Sequence, residues 1–562
     1  MKSNRKAVFA LSPVVAACFV TATVPAGAAS AASVKDPVTH AQNQRVPKGA
    51  AWTERYFPST GGVELHADVL LPEKLKPGQK VPVVLAVGPY FGHSGQMGVE
   101  GFKKTGPSAR FNDLINEGKL LERGYALVMV DSRGFGGSTG CHDLFGPGEQ
   151  ADVKAAVDWA AKQSWSSGAV AMYGKSYDAS TALIGSNLDH EALKAVVAME
   201  PLWEPYRNFR SDGVPRATIS SVANQYSTIA NSPQMPDDTE RYRENAAWET
   251  RNPECSLTQL GQYQIAGHDS QFWKDRDLAE KAAGTNTPLF VTQGFTEWNT
   301  EAEGMQQFLD NHEGPERGWL GPWDHVRGND RFENGDLKMG RGGWFKELFA
   351  FYDEHLKGVE PATEYPAFAV QDSNGQWRGM KAWPTADAAS SVALGSGSYL
   401  DDGMESADAA KATFVRHSQP VQRDTRITGT PRVSLEAGRD ANVHVKLYDV
   451  APDGQAVMFD EQVSQLREGK AAFEMRSTDW VLKKGHQLAV QIGTVQPGIP
   501  TSADWLASPT GQNVDVSAAA LELQLDDPSD DVATKGKPAP YLKQYRAAYT
   551  TELPGKPSFT FW

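Results

Sequence analysis

The stretch AVAMYGKSYDAS, residues 169–180, places a serine where it could act as a nucleophile. A mostly apolar run breaks at Gly174, and Ser176 follows directly after a lysine. Catalysis by serine needs the hydroxyl on a tight turn, where a general base can reach it and backbone N–H groups can stabilise an oxyanion. Asp178 stands where the common G-x-S-x-G motif has its second glycine. Taken alone, this stretch favours a loop serine or a helix cap over a nucleophile.

Two later segments offer the acid and the histidine that a catalytic serine requires. GFTEWN places Glu297 directly after the apolar run at 287–294, and GPWDH ends at His325 after another apolar run. Serine, acid and histidine thus follow in the order expected of a hydrolase that carries them at strand ends of a parallel sheet. The carboxylate of Glu297 would hold the imidazole of His325 and stabilise its protonated form. Other carboxylates stay open for the acid: Glu301, Glu303 and Asp310.

Two donors are predicted for the oxyanion that forms when a serine attacks a carbonyl. The backbone N–H of Tyr177 follows the serine directly, and Tyr90 ends the apolar run VPVVLAVGPY at 81–90. The phenolic hydroxyl of Tyr90 is placed to be the second donor. The alternative interpretation is that Tyr90 forms only a wall of the pocket.

The elements that must position these residues form two regions of different pattern. Between residues 80 and 325, continuous apolar runs alternate with helical patterns, which predicts a largely parallel sheet covered by helices, in the α/β class. The polar interval at about 203–283 interrupts this alternation and predicts a helical cap. From about residue 390, short alternating runs predict an antiparallel β-sandwich. We therefore predict a catalytic region at 32–390 and a β-sandwich at 391–562.

Charge and the N-terminal segment narrow the possible partners and the location. The net charge of −14 and the pI of 5.4 argue against nucleic-acid binding. Residues 1–31 combine basic residues, an apolar run and small residues, which predicts a cleaved signal peptide and a secreted protein. Lipid anchoring at Cys18 is the minor alternative. No later apolar run reaches the length of a membrane span.

Two cysteines follow the predicted signal peptide, Cys141 and Cys255. In an exported chain such a pair suggests one disulfide, and two unpaired thiols are the alternative. The histidines are scattered, no C-x-x-C pair occurs and the acidic residues lack ligand spacing, so the sequence predicts no metal site. The chemistry of serine, acid and histidine needs no cofactor.

The chain contains, in this order, the segments GPY, DSRGFGGSTG, GPGEQADVKAAVDWAA, GKSY, GFTEWN, GPWDH and LYDVAPDGQ. Together they resemble the Xaa-Pro dipeptidyl-peptidase and cocaine esterase family of serine hydrolases, from about residue 50 to the end. The resemblance implies an α/β-hydrolase core with a helical cap, then a jelly-roll-like domain. It implies Ser176 as the nucleophile, His325 as the general base and Glu297 as the acid, where the family usually has Asp. It also assigns the oxyanion donors to Tyr90 and Tyr177.

Three functions stay open at this stage. The resemblance favours an exported peptidase that removes Xaa-Pro dipeptides from peptide N-termini through an acyl-enzyme. Such a peptidase needs a carboxylate for the substrate ammonium and an apolar slot for the proline ring. We assign the carboxylate to Glu204 and place Trp203 and Tyr206 beside it at the cap entrance. The second function is an esterase or amidase that acts on small acyl esters or β-lactam side chains. The third is a non-catalytic binding protein, and the sequence indicates no oligomeric state.

Overall fold

The computed structural model describes residues 36–98, 100–403, 413–496 and 505–561. The predicted signal peptide at 1–31, with Cys18, lies outside the described residues. No helix within the described ranges is both long enough and apolar enough to cross a membrane. The described chain forms a mixed sheet covered by helices and then two further β-sheets, which confirms an α/β core followed by an all-β region.

The first region is built on a mixed sheet that has eleven strands within the described residues. In chain order, the strands up to residue 380 are β1 (Val38–Thr39), β2 (Ala50–Pro58), β3 (Glu64–Pro72), β4 (Val81–Gly88), β5 (Ala126–Asp131), β6 (Ser166–Lys175), β7 (Leu193–Met199), β8 (Arg210–Ser211), β9 (Val214–Pro215), β10 (Leu289–Gly294), β11 (Glu316–Gly321), β12 (Phe368–Gln371) and β13 (Trp377–Met380). The sheet order is β1-β2-β3-β5-β4-β6-β7-β10-β11-β12-β13, and β8 and β9 form a separate hairpin. From β5 to β12 in this order neighbouring strands are parallel, and towards both edges they are antiparallel.

Helices cover both faces of this sheet. In chain order, the α-helices are α1 (Asn112–Asn116), α2 (Pro147–Ala161), α3 (Tyr177–Asn187), α4 (Pro205–Phe209), α5 (Thr218–Ala230), α6 (Glu240–Ala246), α7 (Trp248–Arg251), α8 (Glu254–Tyr263), α9 (Gln271–Lys274), α10 (Leu278–Lys281), α11 (Met305–Asn311), α12 (Trp344–Lys357) and α13 (Pro540–Ala548). Apolar side chains of α2 and α3 pack on one face, and those of α1 and α12 pack on the other. Since both faces are covered, β4, with the sequence VPVVLAVG, is buried at every position.

The carboxyl ends of β6, β10 and β11 meet at one edge of the sheet. Lys175 of β6 and Thr292 of β10 both lie opposite Met199 of β7, and Gly294 of β10 lies opposite Gly321 of β11. Because these strands are parallel and in register, the loops that follow them leave the sheet at nearly one level. The residues predicted to be catalytic follow these ends: Ser176, Glu297 and His325.

The interval predicted as a helical cap, residues 203–283, contains α4 to α10 and the β8–β9 hairpin. Cys255 of α8 is joined by a disulfide to Cys141, in the loop after β5, with the two Cα atoms 5.2 Å apart. The structure thus joins the two cysteines that the sequence offered as a pair. The disulfide fastens the interval to a loop that leaves the sheet.

The C-terminal region consists of two further sheets that enclose an apolar core. Its strands are β14 (Ala388–Asp401), β15 (Phe414–Ser418), β16 (Thr425–Ala437), β17 (Ala441–Val450), β18 (Gln455–Leu466), β19 (Gly469–Glu474), β20 (Thr478–Leu482), β21 (Gln487–Gly493), β22 (Gln512–Asp526), β23 (Thr550–Glu552) and β24 (Pro557–Phe559). One sheet has the order β14-β22-β16-β19 with β20 beside β16, and the other has the order β23-β18-β17-β21-β15-β24. All pairs are antiparallel except β15 with β24. The predicted boundary at 390–391 falls inside β14.

Candidate active site

Ser176 lies on a strained turn between β6 and α3. Its φ of 66° and ψ of −127° are backbone angles that residues with a side chain rarely adopt. Gly174 allows the turn, because a Cβ at that position would lie 2.1 Å from the carbonyl oxygen of Asp178. The N–H of Ser176 donates to the carbonyl of Met199 at 2.9 Å, which fixes the turn to the neighbouring strand. A strained strand-to-helix turn of this kind presents a serine hydroxyl for nucleophilic attack.

His325 meets a buried carboxylate in the neighbouring loop. Its Nδ1 lies 3.1 Å from Oε1 of Glu297. The same carboxylate accepts hydrogen bonds from the N–H groups of Asn299 at 2.9 Å and Thr300 at 2.6 Å. Burial alone would raise the pKa of Glu297, but His325 and these N–H donors outweigh it, so the pKa lies below its ordinary value. An ionised Glu297 holds the proton of His325 on Nδ1 and leaves Nε2 as the basic nitrogen.

The other carboxylates considered for the acid have different partners. Glu301 forms ion pairs with Arg216 at 2.8 Å and Arg476 at 2.9 Å. Glu303 accepts a hydrogen bond from a glutamine of β18, and Asp310 accepts one from a glutamine in the same helix, α11. The carboxylate that meets the histidine is therefore the one that directly follows β10.

The rings of Tyr90 and Tyr177, the residues predicted to supply the oxyanion donors, lie edge to face with centroids 6.3 Å apart. The hydroxyl of Tyr90 lies 2.9 Å from the hydroxyl of Tyr226, which belongs to α5. The guanidinium of Arg110 lies 4.1 Å above the ring of Tyr90 and forms an ion pair with Asp178. Burial raises the pKa of Tyr90 to about 12, so its hydroxyl stays protonated and can donate. The N–H of Tyr177 is the first of α3, where backbone N–H groups have no partner within the helix.

The side chain of Tyr177 is anchored behind the turn. Its hydroxyl donates to Glu149 of α2 at 2.7 Å and lies 2.8 Å from Nε2 of His142. Burial raises the pKa of Glu149 to about 7 and lowers the pKa of His142 to about 3. His142 directly follows the disulfide-bonded Cys141, so the segment held by the disulfide also contacts the residue after Ser176. This buried network holds the residue whose N–H would serve the oxyanion.

The residues assigned to the substrate ammonium and the proline slot have partners within the protein. The carboxylate of Glu204 is buried, with one oxygen paired to His268 and the other to Arg207. Trp203 is buried and donates from its indole to a glutamine of β10 at 2.9 Å. The ring of Tyr206 packs against the ring of His268, with centroids 4.6 Å apart. Glu204 is therefore not presented as a free carboxylate.

Sequence reasoning did not single out several residues near the turn. Lys175 precedes the serine, and burial together with Arg110 and Arg327 lowers its pKa to about 8. Trp298 follows the acid directly and is 49% exposed, which is unusual for so large an apolar side chain. The sequence could have indicated Trp298, because it directly follows a predicted catalytic acid. Nothing in the sequence pattern distinguishes Arg110 or Arg327 as residues of the site.

The chain matches two family descriptions in succession. Residues 61–327 match the family described as X-Pro dipeptidyl-peptidase (S15 family), and residues 361–515 match the X-Pro dipeptidyl-peptidase C-terminal non-catalytic domain. A Bacillus cereus protein with the provisional name Xaa-Pro dipeptidyl-peptidase is 25% identical, over 74% of this chain and 80% of its own length. The cocaine esterase of a Rhodococcus strain is 23% identical, over 78% of this chain and 89% of its own length.

Solved structures share the fold at low sequence identity. An α-amino acid ester hydrolase covers 84% of this chain and 96% of its own, with a TM-score of 0.61 and 19% identity. A CocE/NonD family hydrolase from Staphylococcus aureus covers 84% of this chain and 94% of its own, with a TM-score of 0.62 and 16% identity. These likenesses confirm the predicted α/β-hydrolase core with its C-terminal β region, and the family matches confirm a serine hydrolase in place of a non-catalytic binding protein. The protein belongs to the Xaa-Pro dipeptidyl-peptidase and cocaine esterase family of serine hydrolases.

Proposed function

We propose that this chain is an exported Xaa-Pro dipeptidyl-peptidase whose catalytic triad is Ser176, His325 and Glu297. One observation carries the proposal: the 3.1 Å contact between His325 Nδ1 and Glu297 Oε1 lies in loops from the sheet edge that also carries the strained turn of Ser176. The S15 family match over residues 61–327 supports the peptide substrate.

The proposed reaction follows from the geometry of the turn. The hydroxyl of Ser176 attacks the carbonyl carbon of the proline residue, and His325 Nε2 takes the hydroxyl proton. The N–H of Tyr177 and the hydroxyl of Tyr90 donate to the oxyanion of the tetrahedral intermediate. His325 then returns the proton to the leaving amine, and an acyl-enzyme remains on Ser176. Water hydrolyses this ester by the same two proton transfers and releases the dipeptide.

An esterase of the same family is the second candidate, and one observation favours it. Both oxygens of Glu204 are occupied by Arg207 and His268, so the carboxylate that we assigned to the substrate ammonium is already neutralised. A substrate without an ammonium group, such as a small acyl ester, needs no such carboxylate. The cocaine esterase relative aligns with 78% of this chain, which also supports this candidate.

A paired substrate assay separates the two candidates. We would compare hydrolysis of Ala-Pro-p-nitroanilide with hydrolysis of p-nitrophenyl acetate in the wild-type protein, Ser176→Ala and Ser167→Ala. Ser167 is an exposed serine on the same strand, so its variant controls for the loss of any serine. Anilide cleavage that only Ser176→Ala abolishes supports the peptidase, and ester cleavage alone supports the esterase. Activity retained in Ser176→Ala contradicts the assignment of the nucleophile.

Export is supported by the segment at 1–31 and by the disulfide between Cys141 and Cys255. Disulfides persist in oxidising compartments and are rare in the cytosol. Expression of the full chain in a secreting bacterial host tests this part of the proposal. We expect protein in the medium whose N-terminal sequence begins close to residue 32, whereas intracellular protein with an intact N-terminus contradicts export.

A further inference from the structure

A second cluster of chemistry-bearing side chains lies on the hairpin that precedes the parallel strands. His66 and Asp68 are two residues apart in β3, so their side chains lie on the same face of the strand. Glu54 of β2 lies directly opposite Asp68 in the antiparallel register. His93, in the loop after β4, completes the cluster. All four side chains are at most 1% exposed, and one ligand atom each from Glu54, His66 and His93 lie within 4.8 Å of one another.

Both imidazoles are oriented by carboxylates on the far side of the cluster. His66 Nδ1 lies 2.8 Å from Asp131, and His93 Nδ1 lies 2.7 Å from Asp238. The carboxylates hold Nδ1 of each histidine, so Nε2 is the ring nitrogen that faces the cluster, as in metal-bound histidines. Within the described residues, Nε2 of His66, Nε2 of His93 and Oδ2 of Asp68 are buried without a hydrogen-bond partner. Three such atoms in one buried cluster point to a shared partner, such as a water molecule or an ion.

The carboxylates of the cluster accept direct hydrogen bonds from the hydroxyl of Tyr56 at 2.9 Å and from the indole of Trp52 at 2.6 Å, whereas the two histidines lie farther from them. The second oxygen of Glu54 pairs with His40. His66 Nε2 lies 3.4 Å from Glu54, and His93 Nε2 lies 3.5 Å from Asp68. Charge-assisted hydrogen bonds are shorter, at about 2.7–2.9 Å. Zinc binds nitrogen and oxygen ligands at about 2.0–2.1 Å in a tetrahedron, which sets neighbouring ligand atoms about 3.3–3.4 Å apart. Each of the two gaps therefore has about the length of one edge of such a tetrahedron.

We propose that Glu54, His66 and His93 bind one divalent transition-metal ion beside Asp68, with zinc as the ion that the ligands favour. Two imidazole nitrogens and a carboxylate oxygen form a set of borderline and hard donors that suits zinc. Because the ligands are buried away from solvent, the site is structural and not catalytic. The spacing of these residues in the chain does not indicate the site, since they are spread over two strands and a loop at residues 54–93.

The ion would join three parts of the protein that meet around His93: the leading hairpin, the loop after β4 and the cap interval. His93 lies three residues after Tyr90, the predicted oxyanion donor. Asp238, which orients His93, belongs to the interval that forms the cap, as does Tyr242, whose ring stacks on His93 with centroids 4.0 Å apart. A bound ion would thus fix the Tyr90 loop between the leading hairpin and the cap.

Release of metal on unfolding tests the proposal directly. The mature chain, without an affinity tag, is refolded with zinc, passed through chelator-treated buffer and analysed for all first-row metals. It is then unfolded in guanidinium with a chromophoric zinc chelator. We expect about one zinc per chain, released only on unfolding. Wild-type protein that has been exposed to zinc and releases less than about a tenth of an equivalent overturns the proposal.

Matched variants locate the ion. We expect His66→Gln and His93→Gln to lose bound zinc, and the isosteric Asp68→Asn to weaken zinc affinity about 10- to 100-fold. His444→Gln is the control for a buried histidine paired with a glutamate, and His268→Ala removes the other group of potential ligands, which is partly exposed. Both controls should keep full zinc content. Loss of zinc in His268→Ala, or full zinc content in His66→Gln and His93→Gln, overturns the assignment. If His66→Gln and His93→Gln do not fold, the zinc affinity of Asp68→Asn and the zinc content of the wild-type protein test the proposal.

Discussion

Replacing Glu297 with Gln tests the assignment of the acid without changing the size of the side chain. Glu297 is fully buried, and its two oxygens have different partners. Oε1 faces His325 Nδ1 and accepts from the N–H of Asn299, whereas Oε2 accepts the N–H and the hydroxyl of Thr300. The carboxylate therefore acts as an acceptor towards every group around it.

An amide cannot reproduce this pattern, because only one of its two terminal atoms accepts. The shortest of these hydrogen bonds, from the N–H of Thr300 at 2.6 Å, keeps the amide oxygen at the position of Oε2. The NH2 group then faces His325, which must accept at Nδ1 and carry its proton on Nε2. In that tautomer the imidazole cannot take the proton of Ser176. We expect kcat of Glu297→Gln to fall about 10³- to 10⁴-fold, or about 4–5.5 kcal/mol in the activation barrier.

Steady-state kinetics on the better of the two chromogenic substrates measures this effect. KM should change much less than kcat, since Glu297 does not contact the substrate in the proposed reaction. Asp310→Asn, the same change of carboxylate to amide at an acid that the structure places in α11, should keep the wild-type kcat. Thermal unfolding confirms that both variants are folded. A folded Glu297→Gln protein whose kcat stays within about tenfold of wild type would refute the assignment of the acid.

Three further outcomes follow from the contacts around the turn. Tyr90→Phe should lower kcat about 10²- to 10³-fold through the loss of an oxyanion donor, while Tyr226→Phe should cost about tenfold or less, and equal losses would contradict the distinct roles. Burial raises the pKa of Glu149 from 4.5 to about 7. Protonation of this carboxyl therefore adds about 3 kcal/mol to the unfolding free energy below about pH 4. This contribution is lost as the pH rises through 7. Melting temperatures between pH 5 and 8 should fall less in Glu149→Gln than in wild type, and parallel curves would contradict the shift. Cys255→Ser opens a disulfide across 114 residues and should lower the unfolding free energy by up to about 5 kcal/mol, and an unchanged melting temperature would argue against the bond.

The sheet and the order of the candidate catalytic residues could be predicted from the sequence. A run such as VPVVLAVG in β4 offers no polar face, so only a strand or helix buried on all sides can contain it. Its alternation with helical patterns then fixes the parallel arrangement, and parallel strands bring their carboxyl ends to one edge. The sequence alone therefore predicts that Ser176, Glu297 and His325 follow the carboxyl ends of strands in this sheet.

The pairing of buried charges could not be predicted, because it depends on contacts between distant segments. Glu204 shows the difficulty: one of its partners is Arg207, three residues away, but the other is His268, which the fold of the cap brings in. Glu149 is another case, since a glutamate in a helical pattern is usually solvated. Only the packing of α2 against α3 shows that it meets the hydroxyl of Tyr177.

A residue close to the proposed acid contacts regions far from the α/β sheet. Glu301, four residues after Glu297, forms a two-point ion pair with Arg216 at the start of the cap and another ion pair with Arg476 of the C-terminal β region. Removing three charges from water is costly, and such clusters are weak contributors to stability. A bidentate guanidinium–carboxylate pair nevertheless fixes both the distance between the two side chains and their relative orientation. The loop that holds Glu297 is thus connected through Glu301 to the cap interval and to the C-terminal β region, so we expect loss of the Arg476 ion pair to change the orientation of the proposed acid.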